Sequence, residues 1–281
     1  MENKPKKPAI FFATADQANF PYAVLFWNSM VKFHDSKEID MVLWTNEKRP
    51  EELAKLPKGI KVEDLTQTLA DDPMFFYRQK PIIAEPLLDE YELVVGFDVD
   101  QIVCDDLSYI LETKDYDVAT VLNLNRTDPQ MYGYVELNQI GISPMEYFNC
   151  GTVALRSKRF AHHWKVLCFS PQFDRLRYKE QDILNILCYY GNYNVRCLDL
   201  MDTKAGMAGW WGLIVKSELI RAELRDGKIV IPKGEGTTPY PPIDTTVKIF
   251  HSGGGNTPNK MNYRTLISNE DVVKRFDEVI S

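Results

Sequence analysis

The run Glu92-Leu93-Val94-Val95-Gly96-Phe97-Asp98-Val99-Asp100 decides the architecture. Its apolar stretch has the length of a strand and does not alternate with polar residues. A strand of that kind is buried on both faces, as in the parallel sheets of α/β proteins. It runs straight into two carboxylates. In extended backbone alternate side chains share a face, so Asp98 and Asp100 point one way and Val99 the other. They stand at the carboxyl end of the strand, the edge where open α/β sheets take their ligands. Two hard oxygen donors about 7 Å apart along the chain can share one divalent cation, directly or through water and phosphate. Alone, an Asp-x-Asp tripeptide serves equally well as a turn cap, with Asp105 and Asp106 close behind.

Working outward, strand-like and helix-like segments alternate. Upstream, Pro8 to Thr14 (PAIFFAT) reads as a strand, followed by Leu25, Phe26, Met30 and Phe33 at helical spacing. Ile39 to Thr45 and Gly59 to Leu65 read as two more strands. Between Pro73 and Leu88 the pattern is helical, with Pro81 and Pro86 expected to kink or divide it. Downstream, Asp117 to Asn123 and Phe148 to Arg156 read as strands, the second with a glycine inside. A polar stretch from Asn125 to Glu146 between them is too long for a simple turn. Lys158 to Phe169 and Lys179 to Tyr190 read as helices, and Tyr193 to Leu200 and Thr246 to His251 as strands. Asn269 caps a closing amphipathic helix, and Gly234 to Pro242 is an exposed loop. Strands alternating with helices predict a mostly parallel central sheet flanked by helices. With no repeat and no low-complexity linker, residues 1–281 are expected to form a single Rossmann-like α/β domain.

The whole chain narrows the function classes. Its 281 residues carry a net charge of −7, which argues against a general affinity for nucleic acid. The five cysteines form no CxxC pair and read as reduced, mostly buried thiols. The N-terminus does not resemble a signal peptide, and no apolar run approaches the roughly 20 residues that span a bilayer. A soluble, cytoplasmic protein is the expectation. Neither G-x-G-x-x-G nor G-x-x-x-x-G-K-[ST] occurs, which disfavours dinucleotide dehydrogenases and P-loop enzymes.

Three further pieces carry chemistry. His251 ends the strand-like TVKIF and is followed by Ser252-Gly253-Gly254-Gly255-Asn256, which is either a flexible loop or bare backbone that admits a ligand closely. An imidazole with two Asp oxygens suits Mn²⁺ or a related cation better than a closed zinc site. Glu180-Gln181-Asp182-Ile183-Leu184-Asn185 opens a helix, where acidic residues also simply favour the dipole. Asn149-Cys150-Gly151 inside a strand pattern marks either a bulge or close approach of a ligand.

Taken in order, these pieces resemble glycosyltransferase family 8, the group that holds glycogenin and bacterial lipooligosaccharide galactosyltransferases. FFATADQANFPYAVLFWNSM resembles the family's opening strand and helix, GFDVD its D-x-D strand, and YFNCGTVALR its F-N-[SA]-G-V strand. KEQDILN resembles the D-Q-D-x-L-N helix start, and KIFHSGG the late H-x-x-G strand. The resemblance implies a GT-A fold and a Mn²⁺- or Mg²⁺-assisted site for a nucleotide-sugar donor, UDP-hexose by the family's habit. It implies transfer of the hexose with retained configuration to a glycan, a protein or a lipid head group. It assigns the metal to Asp98, Asp100 and His251. It places Thr14 and Asp16 near the nucleoside, and Lys80, with Arg78 as a rival, near donor sugar or phosphate. It adds Val99, Asp128, Asn149, Gly151 and Gly254 to the donor site, Gln181 to the face of the anomeric carbon, and Asp182 to the sugar hydroxyls. Thr257 stands where the family carries a diphosphate lysine, so either Lys260 serves or the glycine N–H groups and the metal bind the diphosphate. The segment AGMAGWWG, residues 205–212, has no counterpart, and Trp210 and Trp211 in it are either core aromatics or an acceptor platform. Two rivals stay open: a sugar nucleotidyltransferase, and a nucleotide-sugar-binding module without turnover.

Overall fold

The computed structural model describes residues 5–122, 147–198, 222–232, 244–251, 264 and 267–281. Strand β1 (Lys7–Ala15) lies inside a seven-stranded sheet. On one side it pairs in parallel with β2 (Asp40–Thr45), which pairs in parallel with β3 (Ile60–Asp64). On the other side it pairs in parallel with β4 (Tyr91–Phe97). Beyond β4 lie β7 (Phe148–Leu155), antiparallel to both neighbours, then β6 (Val118–Leu122) and β8 (Val195–Cys197), parallel to each other. The chain leaves β1 toward β2 and returns on its other side as β4, so the strand order reverses between β1 and β4. Open α/β sheets bind ligands at such a reversal.

The unbroken apolar runs have a direct cause: both faces of the central strands are buried. Phe11, Ala13, Leu93, Val95 and Phe97 pack on one face against Phe20, Phe26, Trp27 and Met30 of α1 (Phe20–Met30). Ile10, Phe12 and Val94 pack on the other face with Ile83, Ala84 and Leu88 of α4 (Gln79–Glu90). The same layer holds Phe160 and Trp164 of α6 (Lys158–Cys168) and Ile183 and Leu184 of α7 (Glu180–Tyr190). Short helices α2 (Pro50–Leu53), α3 (Thr66–Asp71) and α5 (Ser108–Glu112) complete the connections among the described residues. Gly96 is required inside β4, because a Cβ there would stand 2.8 Å from the Phe12 ring.

A smaller layer forms from the other end of the sequence. Strand β5 (Gln101–Val103) pairs antiparallel with β12 (Ile249–His251), while β9 (Glu223–Arg225), β10 (Lys228–Ile231) and β11 (Thr245–Thr246) form a three-stranded sheet. The final helix α8 (Glu270–Ile280) packs Val272, Phe276 and Val279 against Ile102, Ile229 and Phe250. Its Asn269 cap accepts from Asp271 N and Val272 N, as expected.

One expectation needs correcting. Of the two outcomes expected at Pro81 and Pro86, a kink or a division, division does not occur: α4 runs from Gln79 to Glu90 with Pro86 inside it. Pro81 falls in the first turn, where backbone N–H groups have no intrahelical partner to lose. The burial of Ile83, Ala84 and Leu88 in the core carries the chain through Pro86. Among the described residues no helix is long and apolar enough to cross a membrane. All five cysteines are free thiols, Cys104 and Cys168 buried and the other three partly so.

Candidate metal and donor site

The site is built where β4 ends. The Asp98 N–H donates to the Gly151 carbonyl at 2.7 Å, tying the end of β4 to β7. The chain then bends through Val99 and Asp100 into β5, whose antiparallel partner β12 sets His251 opposite Gln101. That pairing brings a residue from late in the chain beside two from its first half. His251 Nε2 lies 3.1 Å from Asp100 Oδ1 and 3.8 Å from Asp98 Oδ2. One ligating atom from each of the three residues falls within 4.8 Å of the others.

The donor set fits a divalent cation. Neighbouring ligands of an octahedral cation with bonds of about 2.1 Å stand about 3 Å apart. One of the two measured separations already has that value, and the other needs a closure of under about 1 Å. Hard carboxylate oxygens with one imidazole suit Mn²⁺ or Mg²⁺ rather than a thiolate-bound metal. Gly151 explains how the imidazole comes so near the sheet. A Cβ on it would lie 2.3 Å from His251 Cε1 and 2.7 Å from Asn149 Oδ1.

Behind the carboxylates sits a buried charge cluster. Lys80, in the first turn of α4 and only 2% exposed, points its Nζ at Asp98 Oδ1, 2.5 Å away, and at Glu180 Oε1, 3.6 Å away. Burial opposes the lysine's charge, but Asp98, then Cys150 and Glu180, outweigh it and hold the pKa above the ordinary lysine value. Burial pushes the Glu180 carboxyl up to about 7, with Lys80 pulling the other way. Cys150 Sγ lies 3.8 Å from Glu180 Oε1, and burial drives its thiol well above the usual range. Glu180 follows Lys179, whose φ of 50° lies in the left-handed region, and its carbonyl accepts from Trp164 Nε1 at 2.9 Å. Non-glycine residues in such backbone cluster at functional sites.

The remaining expected residues frame this core. Asn149 is 2% exposed, and its Oδ1 accepts from Gly151 N at 2.7 Å. Gln181 Oε1 accepts from Cys150 N at 3.0 Å. Asp182 is buried, with Oδ1 accepting from Tyr147 Oη at 2.5 Å and Oδ2 from Tyr178 N at 2.8 Å. Thr14 and Asp16 lie at the end of β1, where Ala13 is paired with Phe97, so the threonine is beside Asp98 across the sheet. Thr14 Oγ1 is buried with no hydrogen-bond partner among the described residues. Asp16 Oδ1 accepts from both Asn19 N and Asn19 Nδ2, at 2.8 and 2.7 Å, just ahead of α1. Arg78 is drawn away to Asp72, at 2.5 Å, which leaves Lys80 as the lysine at the site. Asp128, Gly254, Lys260, Trp210 and Trp211 lie outside the described residues.

Two participants escape a reading of motifs. Cys150 is a lone thiol with no spacing signal. Asn185, a neutral residue in an acidic helix start, ties α7 to β7. Its Oδ1 accepts from Phe148 N at 2.7 Å, and its Nδ2 donates to Phe148 O and Gln181 O at 2.9 and 2.8 Å. A polar residue at a buried helical position is the signal that points to such a tie.

No family profile matches the sequence, and no curated protein sequence does. Solved structures do match. The galactosyltransferase LgtC, in complex with donor and acceptor sugar analogues, is 18% identical with a TM-score of 0.60 over 97% of this chain and 95% of its own. The bifunctional glycosyltransferase WbbM is 14% identical with a TM-score of 0.64, covering 100% of this chain and 51% of that one. Mouse xyloside xylosyltransferase 1 is 14% identical with a TM-score of 0.55, over 90% of this chain and 98% of that one. At these identities the likeness establishes the fold, and the fold is GT-A.

Proposed function

We propose that the chain is a metal-dependent, retaining glycosyltransferase that moves a hexose from a nucleotide sugar, UDP-hexose first among them, to an acceptor hydroxyl. One observation carries the reading: Asp98, Asp100 and His251, from distant parts of the chain, converge within 4.8 Å at the ligand-binding edge of the sheet. The GT-A fold adds weight, since its relatives LgtC, WbbM and the mouse xylosyltransferase are glycosyltransferases by name.

When bound, a divalent cation neutralises charge on the departing diphosphate. The chain's own groups do the rest. Asp98 and Asp100 present their oxygens on one side of the strand end, and His251 closes the third side with Nε2. Thr14 and Asp16 at the end of β1 bind the nucleoside, with Thr14 Oγ1 a buried polar atom still open to a partner. Asn149, Gly151 and Val99 line the donor sugar, and the family resemblance adds Asp128 and Gly254 for the sugar and Lys260 for the phosphates. Gln181, its amide oxygen held by Cys150 N, stands on the face of the anomeric carbon. Asp182 binds sugar hydroxyls from its seat on Tyr147. An amide is a poor nucleophile beside carboxylates, so the acceptor attacks from the face the leaving diphosphate vacates, and a diphosphate oxygen takes its proton.

The test is a panel of nucleotide sugars with Mn²⁺ and no acceptor, scored for slow donor hydrolysis. The expected product is a nucleoside diphosphate, UDP above all, formed only with the cation. Pyrophosphate instead would identify a nucleotidyltransferase, and binding without any hydrolysis a silent module.

A further inference from the structure

Lys80 and the expected cation want the same carboxylate. The ammonium takes Asp98 Oδ1 at 2.5 Å, while Asp98 Oδ2 faces His251 Nε2 at 3.8 Å. Lysine and imidazole thus hold opposite oxygens of one carboxyl group. The lysine cannot swing into water to make room: its side chain is 2% exposed and walled by Glu180, with Cys150 close by. A cation bonded to Oδ2 would therefore sit only about 4 to 5 Å from the ammonium, given typical metal–oxygen and ammonium–oxygen distances. Two positive groups at that range, in a place poor in water, repel strongly.

We propose that Lys80 makes the site a poor binder of the cation alone and a good binder of the cation together with a nucleoside diphosphate. The inference rests on the metal-dependent reading above. Lys80 offsets part of the Asp98 charge and repels a second cation, so the site without donor is short of negative charge. A diphosphate supplies it, attracting both the divalent ion and the ammonium. Each ligand then raises the affinity for the other by the same factor, as linkage requires. Glu180 sets how far the lysine leans on Asp98. At 3.6 Å it shares the ammonium, so its charge leaves Asp98 freer for the metal. In this scheme Lys80 is a positioning residue, not a metal ligand, and its effect is on order of binding as much as on rate.

The test is Mn²⁺ affinity, read by the free-ion electron paramagnetic resonance signal, with Mn²⁺ alone and with Mn²⁺ plus UDP. The wild-type chain is expected to bind Mn²⁺ at least about tenfold more tightly when UDP is present. Lys80→Met, nearly isosteric and neutral, should bind Mn²⁺ alone about tenfold more tightly than wild type and lose most of the UDP dependence. Glu180→Gln, measured above pH 8 where Glu180 is charged, should weaken binding of Mn²⁺ alone several-fold. This second variant leaves the lysine in place, so it decides the matter should Lys80→Met fail to fold. Wild-type UDP dependence with Mn²⁺ affinities unchanged in both variants would overturn the role of Lys80 and leave the metal site standing. No Mn²⁺ binding by wild type, with or without UDP, would instead remove the metal-dependent reading itself.

Discussion

At the residue scale, the site depends on one missing methyl group and one misplaced charge. Gly151 lets His251 lie against the sheet, and a Cβ there would meet the imidazole at 2.3 Å and the Asn149 amide oxygen at 2.7 Å. Gly151→Ala should therefore push the imidazole off its seat. Overpacking of this kind costs about 1–3 kcal/mol. The expected result is a Tm lowered by a few degrees and a Mn²⁺ affinity lowered at least about tenfold; an unchanged affinity would show that the imidazole is not a ligand. Glu180 carries the charge. Burial lifts its carboxyl from the ordinary 4.5 to about 7, so between those values the folded chain holds a proton that the unfolded chain has lost. Stability from this group is present below about pH 4.5 and falls as pH rises through about 7. Glu180→Gln should be less sensitive to pH in that window, which denaturant titrations at pH 5 and pH 8 would check. The acids, the histidine and the glycine were legible as residue types in sequence. The glycine's reason was not, because it depends on a side chain 100 positions away.

At the element scale, what matters is how α7 is fastened to β7. Three hydrogen bonds from Asn185 reach Phe148 N, Phe148 O and Gln181 O, and the asparagine is fully buried. Asn185→Ala would leave the Phe148 amide groups buried without these partners, at a cost of about 2–4 kcal/mol. A clear fall in the denaturant midpoint is expected, with donor affinity lost too because Asn149 and Gly151 follow directly. A fall in stability with donor binding intact would mean that the strand end holds its shape unaided. Most elements were legible from periodicity: β1, β2, β4, α1 and the Asn269-capped α8 stand where their apolar patterns put them. The proline-bearing α4 did not follow local rules, because tertiary burial of Ile83, Ala84 and Leu88 outweighs one lost helical hydrogen bond. That matters for function, since an unbroken α4 carries Lys80 in its first turn.

At the scale of the whole molecule, the site is a seam between the large sheet and the smaller layer. Asp98 and Asp100 follow β4 of the large sheet, and His251 arrives on β12 with the layer that α8 covers. An α/β architecture was legible in the alternation of strands and helices, and the GT-A order in the five matched segments. The antiparallel seating of β7 between β4 and β6 was not, because strand direction leaves no mark on an apolar run. A ligand that bridges this seam stabilises the whole fold by linkage, about 2.7 kcal/mol at a hundredfold excess over Kd. In a chain of this size Mn²⁺ with UDP should then raise Tm by about 5 °C, and EDTA should reverse the rise. The seam is proposed as a cation site on Asp98, Asp100 and His251. Its most direct test is Mn²⁺ bound in the presence of UDP, counted by electron paramagnetic resonance, for wild type and for Asp98→Asn combined with Asp100→Asn. One Mn²⁺ per wild-type chain is expected, and none in a double variant that keeps its circular dichroism spectrum. Equal Mn²⁺ binding by both proteins would contradict that assignment.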